Sequence, residues 1–395
     1  MRTQRLLALL LAVAAMAALL FIARPYLHGL SFVVRAAEMQ GRWRRAADFD
    51  TTTITEREIT IPTPRGSLRA RVYTPKRSRR TALLTSGLHP SGIDEPRLVR
   101  LARELSASGV TIVTPDIPEL SHFVISPAIT DTIGDAALWL AGDSGLAPDR
   151  HVAMLGISFS GGLSVVAAGR SAVRDRVSYV LSFGGHDDLP RVLRYLCTGS
   201  EPLPTDQLRL NGSQSAEVLT RPPHDYGVAV MLYGMAERVV PRAQVEGLRA
   251  AVQRYLLASA LDTVDKSRAE IAFAELREAS MKMPEPSRTL MRYVNDRDVV
   301  HLGPHLLPYV AQFGGDPALS PSRSPKPAAP VFLLHGTDDN VIPSVESEYL
   351  ANDLRGHAPV RLLLSGLISH AEADRPAHIG DVLQLASFWG DLLSR

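Results

Sequence analysis

"GISFSGG" (Gly156–Gly162) stands between a strand-like run, "HVAMLGI", and a run of small and apolar residues, "GGLSVVAAGR". The first reads as a short buried strand and the second as a closely packed helix. A serine at such a strand-turn-helix junction is carried on a sharp turn that holds its hydroxyl clear of the backbone, which is the setting a nucleophile elbow requires. Gly156, two residues before Ser158, leaves room for crossing chain. Ser160 occupies a place where glycine is commoner, and its side chain is small enough to be tolerated there.

The same alternation extends to both sides. "EREITIPTPRGSLRARVYTP" reads as a strand pair turning at Pro64, Arg65 and Gly66. Then come strand "TALLTSG", an amphipathic helix "EPRLVRLARELSASG" stopped by Gly109, strand "VTIVTPD", helix "TDTIGDAALWLAGD", the elbow, and strand "VSYVLSFGG". Buried strands alternating with helices predict a mostly parallel sheet covered on both faces. After Gly185 the rhythm stops, and "AQVEGLRAAVQRYLLASAL" and "SRAEIAFAELREA" show helical periodicity without an intervening strand. It resumes after the proline-rich "PALSPSRSPKPAAP" with strand "VFLLHG", helix "VESEYLANDLRG", strand "VRLLLSG" and a terminal helix. The middle section therefore reads as a helical cap inserted into a continuous sheet. The expected divisions are a membrane anchor or signal sequence at 1–24, a linker at 25–53, core at 54–185, cap at 186–329 and core again at 330–395.

Two later segments supply partners for Ser158. "LLHGTDDNVIP" is a strand ending in a turn with two carboxylates, and "LLLSGLISHAEAD" is a strand ending in a loop with His370. A serine hydroxyl needs a base to take its proton, and the base needs a carboxylate to fix its tautomer. Ser158, an aspartate at 338 or 339, and His370 each follow a predicted parallel strand, at the edge where open α/β sheets build their sites. The order serine, acid, histidine is that of the α/β-hydrolases.

From about Glu56 to Arg395 the chain resembles the α/β-hydrolase superfamily, in its dienelactone-hydrolase and serine-esterase-like branch. The resemblance rests on "TPRGSLRARVYTP", "LLTSGLHPSGIDEPR", "GISFSGG", "LLHGTDDNVIP" and "ISHA". It implies Ser158 as nucleophile, His370 as base and then acid, and Asp339 as the orienting carboxylate, with Asp338 as the alternative. It implies an oxyanion hole from the backbone N–H groups of Phe159 and Leu88. The loop departs from the family pattern, reading Ser86-Gly87 where His-Gly is usual. The implied activity is hydrolysis of a small-molecule carboxylic ester or thioester through an acyl-enzyme, with no metal or organic cofactor. A serine peptidase or acyltransferase is the enzymatic alternative, and a non-catalytic scaffold that binds a ligand under its cap is the other.

Other polar residues read as structural. His301 and His305 have the four-residue spacing of a zinc motif, but Gly303 and Pro304 are expected to interrupt the helix and no glutamate follows His301. His335 reads as structural, His89 as an ordinary loop histidine, and Glu372 and Asp374 as solvated charges. His186, Asp187 and Asp188 follow another strand and either line the pocket or cap a helix.

At 395 residues, with 45% hydrophobic and 21% charged side chains, the chain can bury a large core. Its 43 basic residues are spread among 41 acidic ones, so the net charge of +2 gives no footprint for nucleic acid. A single cysteine, Cys197, excludes an internal disulfide. Arg2 and Arg5 precede an apolar run from Leu6 to Ala23, closed by Arg24 and Pro25. About 18 residues at 1.5 Å each give about 27 Å, close to a bilayer core. Its small residues lie inside the run, so an uncleaved transmembrane anchor is preferred to a cleaved signal peptide, which would give a secreted protein. Arg24, Arg35, Arg42, Arg44 and Arg45 compete with Arg2 and Arg5 in setting orientation. The expectation is an extracytoplasmic catalytic domain.

Overall fold

The computed structural model describes residues 22–78, 80–204, 218–368 and 379–395. The expected anchor falls almost wholly outside these residues. Among them, no helix is long and apolar enough to cross a membrane.

Eight strands form the central sheet: β1 (Ile54–Thr63), β2 (Gly66–Pro75), β3 (Arg80–Thr85), β4 (Val110–Pro115), β5 (Val152–Ile157), β6 (Val177–Phe183), β7 (Val331–Gly336) and β8 (Val360–Ser365). Their order is β1-β2-β4-β3-β5-β6-β7-β8. The β1–β2 hairpin closes with Thr63 opposite Gly66, at the turn residues the sequence marked, and β2 meets β4 antiparallel. Every neighbour from β4 to β8 is parallel. Strands β3 to β7 are almost wholly buried because apolar clusters cover both faces of the sheet. This α/β architecture fits an α/β-hydrolase.

The helical section leaves β6 and returns to β7, and those strands are adjacent, Val180 opposite Val331. It includes helices Leu189–Thr198, Asp225–Val239, Val245–Asp262, Lys266–Met281, Ser287–Asn295 and Val299–Leu306. A two-stranded sheet, Ser200–Pro202 with Val218–Thr220, was not read from the sequence. The helix expected to break at Gly303 and Pro304 runs through them. Pro304 lies one turn from the helix start, so its missing N–H leaves only the carbonyl of exposed Val300 without a partner in the helix, open to solvent.

Residues 25–53, expected to be a linker, instead carry ordered structure. Residues 22–36 are helical (α1) and Arg42–Asp48 form a second helix (α2) that returns beside it. The pair is tied by Ser31 Oγ donating to the Ala47 carbonyl at 2.9 Å. Helix α1 packs on the C-terminal helix (Ile379–Ser394), where Phe32 lies 4.3 Å from Trp389 between ring centroids. Arg35, 1% exposed, pairs with Glu104 and donates to Ser108 Oγ at 2.7 Å, both on or just after helix Pro96–Ala107. Charged and polar residues of this segment thus serve to dock it on the core.

Gly29 makes this contact possible, since a Cβ there would fall 2.0 Å from the Ala386 carbonyl oxygen and 2.4 Å from Gly390 N. Gly29→Ala should force the helices apart and cost roughly 1–3 kcal/mol. Thermal unfolding checks this, with a lowered midpoint expected and an unchanged one showing that the close contact at Gly29 is not needed.

Candidate active site

Ser158 begins the turn between β5 and helix Phe159–Gly169 with φ 55° and ψ −128°, a sparsely populated conformation for a residue with a side chain. Its N–H donates to the Phe183 carbonyl on β6 at 2.7 Å, and its carbonyl accepts from Gly161 N at 2.8 Å. Gly156 is required because a Cβ there would lie 2.2 Å from the Ser160 carbonyl oxygen. Gly162 lets the 184–186 loop approach, since its Cβ would fall 2.7 Å from His186.

Ser160 does more than fit. Its buried Oγ accepts from Ile157 N at 3.0 Å and donates toward the carbonyls of Thr85 and Ile157, both at 3.0 Å. It therefore ties the end of β5 to the end of β3, the strand that leads into Gly87 and Leu88. The sequence showed only a departure from the commoner glycine.

Gly87 and Leu88 lie beside the nucleophile, with a Cβ on Gly87 reaching 3.4 Å from Ser158 Cβ and 4.0 Å from its Oγ. Phe159 opens the helix after Ser158, where backbone N–H groups are free for an anion. From the cap, Tyr226 donates its hydroxyl to the Leu88 carbonyl at 2.9 Å, which fixes the peptide after Leu88. His89 is turned to its own loop, its Nδ1 accepting from Ser91 N at 3.2 Å.

The two candidate acids are separated by their surroundings. Asp339 is 2% exposed, and its Oδ1 accepts from the N–H groups of Val341 and Ile342 at 2.9 and 3.1 Å. Gly184 sits between it and the nucleophile, for a Cβ there would be 3.7 Å from Asp339 Oδ2 and 4.0 Å from Ser158 Cα. Asp338 is half exposed and faces Arg221 at 3.6 Å. His335, read as structural, supports the acid turn: Nε2 donates to the Ile342 carbonyl at 2.9 Å and lies 3.4 Å from Asp339 Oδ2, while Nδ1 accepts from Ser347 Oγ at 2.7 Å. His370, Glu372 and Asp374 lie outside the described residues.

Ser158 opens into a pocket of about 70 Å³ lined mainly by apolar side chains. Leu88 and Ile125 come from the core loops, Leu189 and Leu193 from one cap helix, and Val230 and Met231 from another. The pocket can hold an apolar group next to the hydroxyl and offers it few polar contacts.

His186, Asp187 and Asp188 divide the two roles read for them. His186 lines the pocket, stacked on Phe159 at 5.4 Å, with Nε2 donating to the Leu319 carbonyl at 2.8 Å. Burial lowers its pKa, so it is neutral. Asp188 caps helix Leu189–Thr198 through Arg191 N at 3.0 Å. Asp187 joins a buried junction that the sequence did not reveal. Glu346 Oε2 accepts from the N–H groups of Asp187 and Asp188 at 2.7 and 3.0 Å, and Arg191 Nε bridges Glu346 at 2.5 Å and Glu201 at 3.3 Å. The Arg191 guanidinium also lies 3.7 Å from the Tyr349 ring centre. These partners are far apart in sequence and become neighbours only through the fold.

Elsewhere, His301 pairs with Asp298 at 2.6 Å. Among the described residues no group of three or more histidines, cysteines or carboxylates is placed to hold a metal ion. Cys197 is buried, which pushes its thiol up to about 12.

No protein-family profile and no curated protein sequence matches the chain. Solved structures to which it is similar include a hyperthermophilic esterase from the archaeon Pyrobaculum calidifontis, at 18% identity over 92% of this chain and 91% of that one, with a TM-score of 0.43. A thermostable esterase from Pseudomonas putida gives 14% over 92% and 86%, with a TM-score of 0.45. A thermostable carboxylesterase cloned from a metagenomic library gives 16% over 93% and 94%, with a TM-score of 0.43.

The buried junction makes stability depend on pH. Burial pushes Glu201 well above the ordinary carboxylate range, reinforced by its contact with Glu346, and pushes Asp187 up to about 7. Folded pKa values raised above unfolded ones give stability that is complete below about pH 4 and is lost as pH rises through the folded values. The loss should begin above about pH 4 for both groups, reach completion near neutrality for Asp187 and continue into the alkaline range for Glu201. Glu201→Gln, which keeps a hydrogen without titrating, should flatten the alkaline part of a stability profile measured by urea unfolding. A profile as steep as that of the unaltered chain would remove Glu201 from the linkage.

Proposed function

We propose that this chain is a serine hydrolase that cleaves a small-molecule carboxylic ester or thioester with an apolar acyl group. The observation that carries the reading is Ser158, held in a strained turn at the carboxyl edge of a parallel sheet and opening into an apolar pocket. In the proposed reaction Ser158 Oγ attacks the acyl carbonyl as His370 takes its proton. The N–H groups of Phe159 and Leu88 donate hydrogen bonds to the oxyanion that develops on the carbonyl oxygen, and the leaving group departs with the proton from His370. Water, activated by the same histidine, then releases the acid and restores Ser158.

Asp339 is the carboxylate of the proposal, supported by its burial beside Gly184 and its two backbone donors. "LLTSGLHPSGIDEPR" and "LLHGTDDNVIP" support the dienelactone-hydrolase and serine-esterase-like branch. The apolar pocket favours an acyl group over a peptide, which brings polar amides that would need partners there. Residues 6–23 support a single N-terminal anchor with the catalytic domain extracytoplasmic.

Turnover of a chromogenic short-chain ester tests the assignment. Asp339→Asn should lower turnover by on the order of 10⁴-fold, the effect of holding histidine in the wrong tautomer. Asp338→Asn should stay within a few-fold of the unaltered chain, because that carboxylate faces Arg221. Equal losses, or the reverse order, would move or dissolve the acid assignment.

A further inference from the structure

The edge of the sheet opposite Ser158 has its own chemistry. Helix α1 and the C-terminal helix run antiparallel, for Gly29 meets Ala386 and Gly390, while Gly390 meets Pro25. Beside them, His28 contacts the Ser108 carbonyl at 3.1 Å and Arg35 reaches Glu104. Ser108 lies two residues before β4 begins, and Arg80 at the start of β3 donates to the Leu393 carbonyl. Ile22, the first described residue, is therefore at the amino edge of the parallel strands. Ser158 lies beyond the carboxyl end of β5, whose six residues alone span about 20 Å.

That edge is basic. Lys76 and Arg77 precede β3, Arg150 precedes β5, and Arg174 and Arg176 precede β6, all exposed. The nearby acids in the same turns are Asp143, Asp149 and Asp175, fewer than the five cations. It also carries apolar side chains in solvent: Ile22 is 75% exposed and Phe49 93%. Phe49 is fixed at this edge because Asp50 binds His28 at 2.6 Å and Thr52 N donates to the Ala107 carbonyl at 2.9 Å.

We infer that the amino edge of the sheet docks on an anionic bilayer, Phe49 entering the interface among the lysine and arginine residues, so that the Ser158 pocket faces away from the membrane. This rests on the reading of residues 6–23 as a membrane anchor. Ile22, which follows the apolar run 6–21 in sequence, lies at the edge where the cations and the exposed aromatic stand, and anionic headgroups attract such residues at short range. The pocket then draws its ester from the aqueous phase and not from bilayer lipid.

The test uses the full chain reconstituted in vesicles of phosphatidylcholine and phosphatidylglycerol containing lipid with a spin-labelled headgroup. A fluorophore is placed at the amino edge through Ser171→Cys, or at the carboxyl edge, just beyond β4, through Val124→Cys, while buried Cys197 stays unlabelled. Quenching several-fold stronger at position 171 than at 124 is expected. Omitting phosphatidylglycerol, or reversing Arg150, Arg174 and Arg176 to glutamate, should weaken quenching at 171, by roughly fivefold in docked occupancy per basic residue removed. Equal or stronger quenching at 124, or quenching at 171 indifferent to lipid charge, overturns the docking. A chain that fails to float with the vesicles overturns the anchor reading and the docking with it. Turnover of a soluble ester by the same vesicles reports on Ser158 alone.

Discussion

A single residue held at positive φ is the constraint on which the proposed site depends. Ser158 adopts φ 55° and ψ −128°, a conformation that costs of order 1–3 kcal/mol for a residue with a Cβ. The surrounding structure over-determines it. Phe183 accepts its N–H from β6, Ser160 ties Ile157 to the end of β3, and Gly156 admits the first turn of the helix against the strand. The Ser160 bond to the Thr85 carbonyl holds the end of β3, which leads into Gly87 and Leu88, beside the nucleophile, and Gly184 leaves room for Asp339 near it.

The cap is joined to this frame by two kinds of contact. Tyr226 grips the Leu88 carbonyl directly, so closing the pocket and fixing the loop are one event. On the other side, Arg191 of the cap binds Glu346, which in turn holds the N–H groups of Asp187 and Asp188. His186 adjoins that loop and lies against Phe159, so the junction extends to the wall of the pocket. Such a buried charged cluster contributes position more than stability, because desolvation offsets much of the attraction. What it fixes is where the apolar cap helices stand relative to Ser158.

Local patterns in the sequence were enough to reach the sheet and the elbow. Apolar strands bounded by glycine and proline, and helices of period near 3.6, gave the alternation that became β3 to β8. "GISFSGG" announced its turn because close approach demands glycine at 156 and 162. The residues alone left Asp338 and Asp339 open and the family resemblance favoured Asp339, whereas the structure buries Asp339 and leaves Asp338 half exposed beside Arg221. The roles of Ser160, Tyr226 and Glu346 were not legible, since each acts on a backbone group or side chain brought near by the fold. Helix α1 was missed for a related reason: the partners that hold it, Glu104, Ser108 and Asp50, are brought beside Arg35 and His28 only by the fold.

The central claim is that Ser158 is a nucleophile, and it is met most directly by locating the covalent adduct formed with a fluorophosphonate. Peptide mass spectrometry of the treated full chain should find one phosphonyl group, on Ser158, with Ser160 unmodified because its Oγ is buried and bonded to backbone. A folded chain that takes up no phosphonyl group, or carries it on another serine, would contradict the account.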